Sequence, residues 1–265
     1  MTKTVFRTKK SAQTFENVLK AATDLFRLKG FHGTTMRDIS RASGLGLGAL
    51  YYYFDSKEAL LLRFYEVNSS GTIAEFRALP DVSNNLPDNA ARFLRLKLTN
   101  LAPYRDLMRV VVKEAVDPES PLCPLNPASS DILAANLSLV RELVEVSGTA
   151  KGQEAQELAQ GLWLAEMGVI TYWLHDRSPN FEATDRAIEI LRAAVRLSNT
   201  IARVPGLGTL RKQILSLVAN LFQSQSATSH ELGKTPGNGS NPTALPRRAS
   251  KQKPDPVGKI EEEQL

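Results

Sequence analysis

Apolar positions along this chain follow helical spacing almost throughout, and no run alternates apolar and polar residues as a strand does. Glycine and proline interrupt the pattern: Gly30 ends the first apolar face, and four prolines within 117–127 exclude a helix there. The spacing therefore predicts an all-α fold. Its helices are expected over 14–29, a short stretch between Thr35 and Gly44, 47–53, 55–78, 88–101, 103–116, 129–147, 153–176, 181–203 and 209–224.

Two of the short predicted helices, on either side of Gly44, follow each other closely enough to form one structural motif. Thr35 and Asp38 have the spacing of a capping box, in which each side chain binds the other residue's backbone N–H at the start of a helix. Gly44 ends this helix, and the next begins almost at once. Two short helices joined by a glycine-containing turn make a helix-turn-helix motif, whose second helix enters the major groove of DNA.

The segment GLGLGALYYYF, residues 44–54, has the features that such a second helix needs. Leu50 and Phe54 are four residues apart and are predicted to point into a small core. Gly46 and Gly48 leave the backbone bare, so that N–H groups can approach phosphates or base edges closely. The three tyrosines beside them are long enough to reach the sugar-phosphate backbone. The alternative interpretation places these tyrosines in a helical core.

Charge is distributed unevenly along the chain. Residues 1–63 carry eleven Lys or Arg and five Asp or Glu, a net charge of +6, whereas the whole chain carries +5. The basic character therefore belongs to the N-terminal quarter, which favours an anionic partner there, with nucleic acid as the first candidate. A solvated surface without a partner is the alternative.

Several classes of protein are disfavoured by what the sequence lacks. No apolar run reaches the roughly 18 residues of a membrane span, no apolar segment typical of a secretory signal follows the basic N-terminus, and the single cysteine, Cys123, fits a reducing compartment. We therefore expect a cytoplasmic protein. Sequence motifs for hydrolases, phosphate loops and metal sites are missing, and the three histidines lie in separate elements. An enzyme, a metal site and a cofactor are thus not expected.

Residues 12–72 resemble the DNA-binding domain of the TetR family of bacterial transcriptional repressors. The resemblance rests on the Phe-x-x-x-Gly-Phe stretch from Phe26 to Phe31, the paired threonines Thr34 and Thr35, and the text GALYYYF followed by Lys57. It implies a helix-turn-helix motif at about 35–54, a larger helical domain for ligand binding and dimerisation over 73–224, and a tail over 225–265. The tail is rich in Ser, Pro, Gly, Asn and Lys and is predicted to be disordered.

The resemblance also assigns roles to single residues. Thr35 would meet a phosphate, Gly48 would approach a base edge, and Lys57 would pair with a phosphate. Arg37 and Lys57 have the alternative of being solvated surface residues. The DNA-binding residues expected as a set are Thr35, Arg37, Gly46, Leu47, Gly48, Tyr51, Tyr52, Tyr53 and Lys57.

Two departures from the family pattern bear on DNA recognition. Gly46 and Leu47 stand where the family often has Ser and Lys, and Tyr53 stands where it has His. Leu47 is a candidate for contact with a thymine methyl group. A protein of the same fold that senses a ligand or acts as an adaptor, with weakened DNA binding, is therefore the alternative to a DNA-binding repressor.

The rest of the chain is expected to dimerise and to bind an effector. A homodimer on a palindromic operator in double-stranded DNA would be released by a small, apolar, unidentified molecule. The dimer surface is expected on the two late helices, with a stripe of Ala187, Ile188, Leu191, Ala194, Val195, Ser198 and Ile201, although the same stripe also suits an intrachain core. The expected ligand pocket comprises Met108, Val111, Leu137, Trp163, Met167 and Tyr172, for which plain core packing is the alternative.

Overall fold

Helices account for every regular element in the computed structural model, which describes residues 9–80, 82, 84–201, 213–220 and 222, without the side chains of 198–201. Single 3-10 turns precede α6, α7 and α9. The helices are α1 (Lys9–Lys29), α2 (Met36–Ser43), α3 (Leu47–Tyr53), α4 (Lys57–Arg77), α5 (Leu86–Leu101), α6 (Arg105–Ala115), α7 (Ser130–Val146), α8 (Gly152–His175) and α9 (Glu182–Ile201). Residues 213–220 are also helical.

The predicted all-α fold is confirmed, and most helices begin and end within about two residues of the predicted positions. The largest difference is at the first helix, which begins at Lys9 rather than at 14. Its extra turn is polar and exposed, so it gave no apolar signal. The predicted disorder of 225–265 lies outside the described residues, as do parts of the last two predicted ranges.

The boundaries of the short helices have the local causes that the sequence indicated. Thr35 is the N-cap of α2 and forms the predicted capping box with Asp38. Gly44 ends α2 with φ of 72°, a left-handed conformation that glycine adopts without the penalty of a Cβ atom. Ser56 is the N-cap of α4, and its hydroxyl accepts a hydrogen bond from the N–H of Ala59 at 3.1 Å. Local chemistry thus sets the start of α2 and α4.

The N-terminal helices share their core with the rest of the chain. One continuous buried cluster joins residues of α1 to α4, such as Leu19 and Leu50, to residues of α5, α6 and α8, such as Leu101, Leu107 and Ile170. α4 runs through position 72 without a break. The proposed division at 72/73 therefore falls inside a helix, and it stays a prediction.

α9 packs against α5 of the same chain. Ile188 and Val195 are buried there, and Arg192 of α9 binds Asp88 of α5 at 2.6 Å. Part of the apolar stripe expected at a dimer surface is thus intrachain core, since one face of α9 is needed to cover α5. Ser198 and Ile201 of that stripe have side chains outside the described part of the structure. On the outer side of α9, Ile190 is 70% exposed.

Helix 213–220 and Phe222 lie against α8. A Cβ atom at Gly161 would come within 3.5 Å of Leu215, and the rings of Phe222 and Trp163 are 5.8 Å apart in an edge-to-face arrangement. Leu215 and Ala219 are buried. The last described segment therefore covers part of α8 near the small residue Gly161.

Candidate DNA-binding surface and effector cavity

The helix-turn-helix pair is held by its turn and by two apolar anchors, one on α3 and one just beyond its end. The hydroxyl of Ser40 on α2 donates to the carbonyl oxygen of Leu45 in the turn at 2.6 Å. Leu50 of α3 is fully buried, and Phe54, just beyond α3, stacks on Phe15 of α1 with ring centroids 5.8 Å apart. These contacts fix the angle of α3 and decide which of its faces meets solvent.

The outer face of the pair carries six of the nine residues that the sequence assigned to DNA. Tyr51 and Tyr52 are 48% and 67% exposed, although both are aromatic. Exposed large aromatic side chains beside bare backbone are typical of surfaces that bind a partner. The six exposed residues are Thr35, Arg37, Gly46, Gly48, Tyr51 and Tyr52.

Gly46 and Gly48 have no role that the protein's own structure explains. Gly46 is the N-cap of α3 with φ of −56°, which any residue adopts, and a Cβ atom built on either glycine meets nothing within 4 Å. Glycine inside a helix costs up to about 1 kcal/mol relative to alanine. The bare backbone at both positions therefore opens onto solvent, and at Gly48, which lies inside α3, it does so at an energetic cost to the helix.

Leu47 and Tyr53 lie on the side of α3 that turns toward the core. Both are partly buried and pack against the apolar cluster of the N-terminal helices. Sequence reasoning placed both on the DNA side because the motif matched by position, while the direction of each side chain depends on how α3 is rotated. Their roles in DNA contact stay predictions, and Leu47 offers only part of its side chain to a thymine methyl group.

Lys57 is engaged inside the protein. Its ammonium group donates to the carbonyl oxygens of Phe31 at 2.5 Å and Thr34 at 3.1 Å, and it lies 4.3 Å from the centroid of the Phe31 ring. The first turn of α4 is thereby tied to the loop between α1 and α2. A phosphate contact by Lys57 stays a prediction and has to use the third ammonium proton.

Thr35 and Asp38 form a reciprocal pair at the start of α2. The Thr35 hydroxyl donates to the Asp38 carboxylate at 2.8 Å, and the Asp38 N–H donates to the Thr35 hydroxyl oxygen at 3.2 Å. Lys29 lies 3.1 Å from the same carboxylate. Hydrogen bonds from Thr35, followed by the contact with Lys29, lower the pKa of Asp38 from 3.8 to about 2. A phosphate at Thr35 would thus approach a hydroxyl that already has both partners.

A cavity of about 300 Å³ lies in the larger helical region. Its walls come from α4, α6, α7, α8 and the proline-rich loop before α7, and they are overwhelmingly apolar. The volume is at the lower end of the roughly 300–1,000 Å³ typical of small-molecule sites. Among the described residues of the lining, none carries a charge.

The structure places four of the six expected pocket residues on this wall and two elsewhere. Met108, Val111, Trp163 and Met167 line the cavity. Leu137 is buried outside the lining, because consecutive positions of α7 point in different directions and Asn136 takes the inward one. Tyr172 is 49% exposed on the surface of α8. For Leu137 and Tyr172 the expected position is corrected.

Sequence reasoning missed the contribution of α4 and of the loop. Leu61, Leu62 and Tyr65 come from a helix that the family resemblance assigned to the DNA-binding domain, and Cys123 comes from a segment read only as a helix breaker. α4 is long enough to reach both parts of the molecule, and its length was the available signal. The loop gave no comparable signal, since its position depends on the packing of α6 and α7.

A buried polar cluster lies behind the cavity. Lys97 of α5 forms an ion pair with Glu166 of α8 and donates to the side-chain oxygen of Asn136 at 2.8 Å. Asn136 lines the cavity and donates in turn to the Ser69 hydroxyl at 2.8 Å. The side chains of Lys97 and Glu166 are only 3% and 7% exposed. The cluster, which we call the Lys97–Glu166 cluster, connects α4, α5, α7 and α8.

The described residues contain neither a membrane-spanning helix nor a metal-binding cluster. No helix among them combines the length and apolarity required to cross a membrane. Within the same ranges, no group of three or more His, Cys, Asp or Glu side chains is placed to hold a metal ion.

These observations define a helix-turn-helix protein with a larger helical region that encloses a cavity. Two family models match the chain: one described as bacterial regulatory proteins of the tetR family over residues 18–64, and one described as a tetracyclin repressor-like C-terminal domain over 90–221. Together they account for both parts of the molecule in the right order. The chain belongs to the TetR family.

Curated relatives are similar over part of the chain. The HTH-type transcriptional repressor NicS of Pseudomonas putida is 34% identical over 93 residues, which are 35% of this chain and 43% of that protein. The HTH-type transcriptional regulator YerO of Bacillus subtilis is 27% identical over 107 residues, 40% of this chain and 37% of YerO. The chain thus spans less than half the length of these relatives.

Solved structures resemble the chain over more of its length but at low identity. The fatty acid degradation regulator FadR of Bacillus halodurans has a TM-score of 0.56 at 18% identity and covers 69% of this chain and 96% of its own. FadR of Bacillus subtilis in complex with stearoyl-CoA has a TM-score of 0.55 at 16% identity, with coverages of 67% and 97%. At such low sequence identities, the structural similarity shows that the fold is shared.

Proposed function

We propose that this protein is a dimeric transcriptional repressor that binds a palindromic DNA operator through α2 and α3 and leaves it when a small molecule fills the cavity. The observation that carries the DNA-binding part is the outer face of α3. There Gly46 and Gly48 expose backbone that the fold does not need to be bare, and Tyr51 and Tyr52 project beside it. A closely approaching polyanion explains all four residues together.

Electrostatics supports the same partner. The net charge of residues 1–63 is +6, and Arg37 is exposed near the start of α2, whose first-turn N–H groups point outward as at any helix start. Phosphate contacts of this kind give affinity and orientation, while base contacts give sequence preference. Gly48 and Leu47 are our candidates for base contact, and Thr35, Tyr51, Tyr52 and Lys57 are candidates for the backbone.

α6 connects the cavity to the DNA-binding helices. Met108 and Val111 of α6 line the cavity. Other residues of α6 contact the N-terminal unit: Asp106 lies 3.5 Å from Arg27 of α1, and Glu114 lies 3.1 Å from His32. A molecule that displaces α6 when it enters the cavity changes these contacts and with them the position of α2 and α3. To release DNA, it must bind the displaced form more tightly.

The dimer surface is proposed on the outer side of α9. Ile190 and Leu197 are seven residues apart, which puts them on one helical face, and they are 70% and 56% exposed. Such apolar exposure is costly in water and is relieved by a second copy. Two protomers would then present their α3 helices to half-sites separated by about 34–36 Å or a multiple of this distance.

The ligand of a structural relative does not identify the effector of this chain. Stearoyl-CoA is the ligand of FadR of Bacillus subtilis, with which this chain shares the fold at 16% identity. The cavity wall of the present chain is composed of its own residues, and the chemistry of those residues determines which effector it can take.

The deciding experiment is selection of bound sequences from random duplex DNA, followed by a salt titration of the selected site. We expect an inverted repeat, and a log affinity that falls linearly with log salt by about 0.9 for each phosphate contacted. Light scattering of the same complex should give two protomers per site. The expected slope has a physical basis, because each phosphate neutralised by Lys or Arg releases a bound counterion.

Failure to enrich any sequence would contradict the proposal and favour the ligand sensor or adaptor of the same fold. An enriched site without inverted symmetry would contradict the dimer alone. A matched control is the double variant Tyr51→Phe/Tyr52→Phe, which keeps the rings and removes only the hydroxyls. It should bind the selected site more weakly while retaining the same preferred sequence, since backbone contacts carry no sequence information.

A further inference from the structure

The cavity wall combines a large apolar area with very few unpartnered polar groups. Most of its polar side chains bind within the protein: Ser129 donates to the carbonyl oxygen of Cys123 at 2.6 Å, and Thr171 donates to that of Met167 at 2.8 Å. Both amide hydrogens of Asn136 are donated, to the Ser69 hydroxyl and to the carbonyl oxygen of Ile132, and its amide oxygen accepts from Lys97. These groups are therefore not available to a ligand without losing a protein partner.

Apart from the weakly polar thiol of Cys123, the exceptions among the described residues of the lining are Tyr65 and Trp163. Neither the Tyr65 hydroxyl nor the Trp163 indole N–H has a hydrogen-bond partner in the described structure. Trp163 is 4% exposed and Tyr65 is partly buried, and both lie on the cavity wall. A hydroxyl or indole N–H without a protein acceptor keeps its hydrogen for another partner. These two side chains can therefore donate to an acceptor on a ligand in the cavity.

Charge restricts the ligand further. No Lys, Arg, His, Asp or Glu is found on the described lining. Lys97 and Glu166, which lie behind Asn136, are already paired with each other and are nearly fully buried. An ionised ligand group would lose its hydration in the cavity without gaining a counter-charge, which is strongly unfavourable.

We infer that the cavity binds an uncharged, largely apolar small molecule that carries a hydrogen-bond acceptor, and that Tyr65 is the residue that donates to this acceptor. Burial raises the pKa of Tyr65, so its hydroxyl stays protonated and able to donate at neutral pH. The inference deepens the proposed regulatory site, and it rests on the proposed function only for what binding does to DNA affinity. Binding itself is measured on the free protein.

Four molecules of nearly identical shape test the inference by calorimetric titration of the full chain. All share a 4-butylphenyl body: 4-butylacetophenone has a neutral acceptor, 4-butyl-α-methylstyrene has none, 4-butylbenzoate is an anion and 4-butylbenzamidine is a cation. We expect the ketone to bind at least roughly tenfold more tightly than either ion. The hydrocarbon should bind roughly threefold to tenfold more weakly than the ketone, the ordinary contribution of one hydrogen bond.

A matched pair of variants assigns the donor. Tyr65→Phe should weaken the ketone to the level of the hydrocarbon and leave the hydrocarbon within about twofold, because the ring remains and only an unpartnered hydroxyl is lost. Tyr172→Phe makes the same chemical change on the exposed side of α8, outside the lining, and should change neither affinity. Thermal denaturation of both variants checks that the fold is retained.

Three results would overturn the inference: equal or tighter binding of an ion, no binding of any of the four molecules at millimolar concentration, or a Tyr65→Phe variant that binds the ketone as the native chain does. None of these depends on an operator. Conversely, the expected order of affinities together with no selected DNA sequence would leave the ligand class standing and reject the repressor.

Discussion

The helix-turn-helix pair and the cavity region use polar contacts in opposite ways. In the pair, the contacts are local and exposed: Thr35 and Asp38 are three residues apart at the surface. In the cavity region, they are distant and buried: Lys97 and Glu166 come from different helices and are 3% and 7% exposed. The exposed contacts set helix boundaries, and each contributes little to the free energy of unfolding. The buried contacts connect four helices, and loss of one member leaves its partners buried without a hydrogen bond or a counter-charge.

This difference also separates what each region can bind. The pair keeps its apolar anchors inward and offers bare backbone and hydroxyls to water, which suits a hydrated polyanion such as DNA. The cavity keeps its charges paired behind the wall and offers carbon surface and two donors, which suits a neutral molecule. Three substitutions test whether the contrast is real.

The largest effect is expected for the Lys97–Glu166 cluster. Lys97→Met leaves Glu166 buried without its cation and should lower the free energy of unfolding by about 3–5 kcal/mol. The double variant Lys97→Met/Glu166→Met should recover part of this loss, since neither charge is then buried. A residual loss of about 1–3 kcal/mol is expected because the Asn136 oxygen is left without its donor. Urea denaturation of the single and double variants measures both values.

The surface pair of Arg77 with Glu142 is the control for that experiment. It also joins two different helices, at 2.6 Å, but the two side chains are 51% and 53% exposed. Arg77→Met should change the free energy of unfolding by less than about 1 kcal/mol. If the double variant of the buried pair were as unstable as the single variant, the ion pair would be a net source of stability. The proposed contrast between the buried and the exposed polar contacts would then be wrong.

A smaller effect is expected when either of two glycines in the helix-turn-helix pair is replaced by alanine. Gly48→Ala should leave the fold intact or stabilise it by up to about 1 kcal/mol, since the added methyl meets nothing within 4 Å. It should weaken binding to the selected operator at least roughly tenfold, because the methyl occupies the space that DNA needs. Filter binding and thermal denaturation give the two quantities.

Gly44→Ala should behave in the reverse way. Its φ of 72° is unfavourable for alanine, so stability should fall by about 1 kcal/mol, while the DNA-facing surface is unchanged. At a temperature where both variants are folded, Gly44→Ala should bind DNA more tightly than Gly48→Ala. Equal DNA affinities for the two variants would show that the bare backbone at Gly48 does not meet DNA.

The smallest effect concerns pH and the capping box. The pKa of Asp38 is lowered to about 2 in the folded protein from its ordinary 3.8, so the folded state is favoured by the ionised form. This contribution is fully present above about pH 4 and is lost as the pH falls through about 2. Thr35→Val removes the hydroxyl and should raise the pKa of Asp38 toward 3.8, as followed by NMR of its carboxyl carbon.

Thr23→Val provides the control for the capping box, since the Thr23 hydroxyl binds the carbonyl oxygen of Leu19 within α1. The pKa of Asp38 should be unchanged in that variant. A native pKa close to 3.8 would mean that the exposed contacts at the start of α2 are too weakly populated to favour the ionised carboxylate, and that even helix boundaries depend on the packed core.

Sequence alone determined the helical fold, the capping box at Thr35, the left-handed end of α2 at Gly44 and the short α3, and through the family motif it pointed to the chain's membership of the TetR family. All of these depend on residues within a few positions of one another, where spacing and backbone preference act directly. For the same reason, the motif indicated a set of candidate DNA-contacting residues. It did not indicate that the side chains of Leu47, Tyr53 and Lys57 turn toward the protein.

Only the tertiary structure decided where the cavity is and what it can hold. Leu61, Tyr65 and Trp163 meet because α4, α7 and α8 pack together, and nothing in the local sequence of any of them records that meeting. The tertiary structure also decided the role of Ile188. Its side chain packs against α5 of the same chain and is therefore not available to a second copy. A pattern shows that a residue will be buried, but which neighbour buries it depends on helices that are distant in sequence.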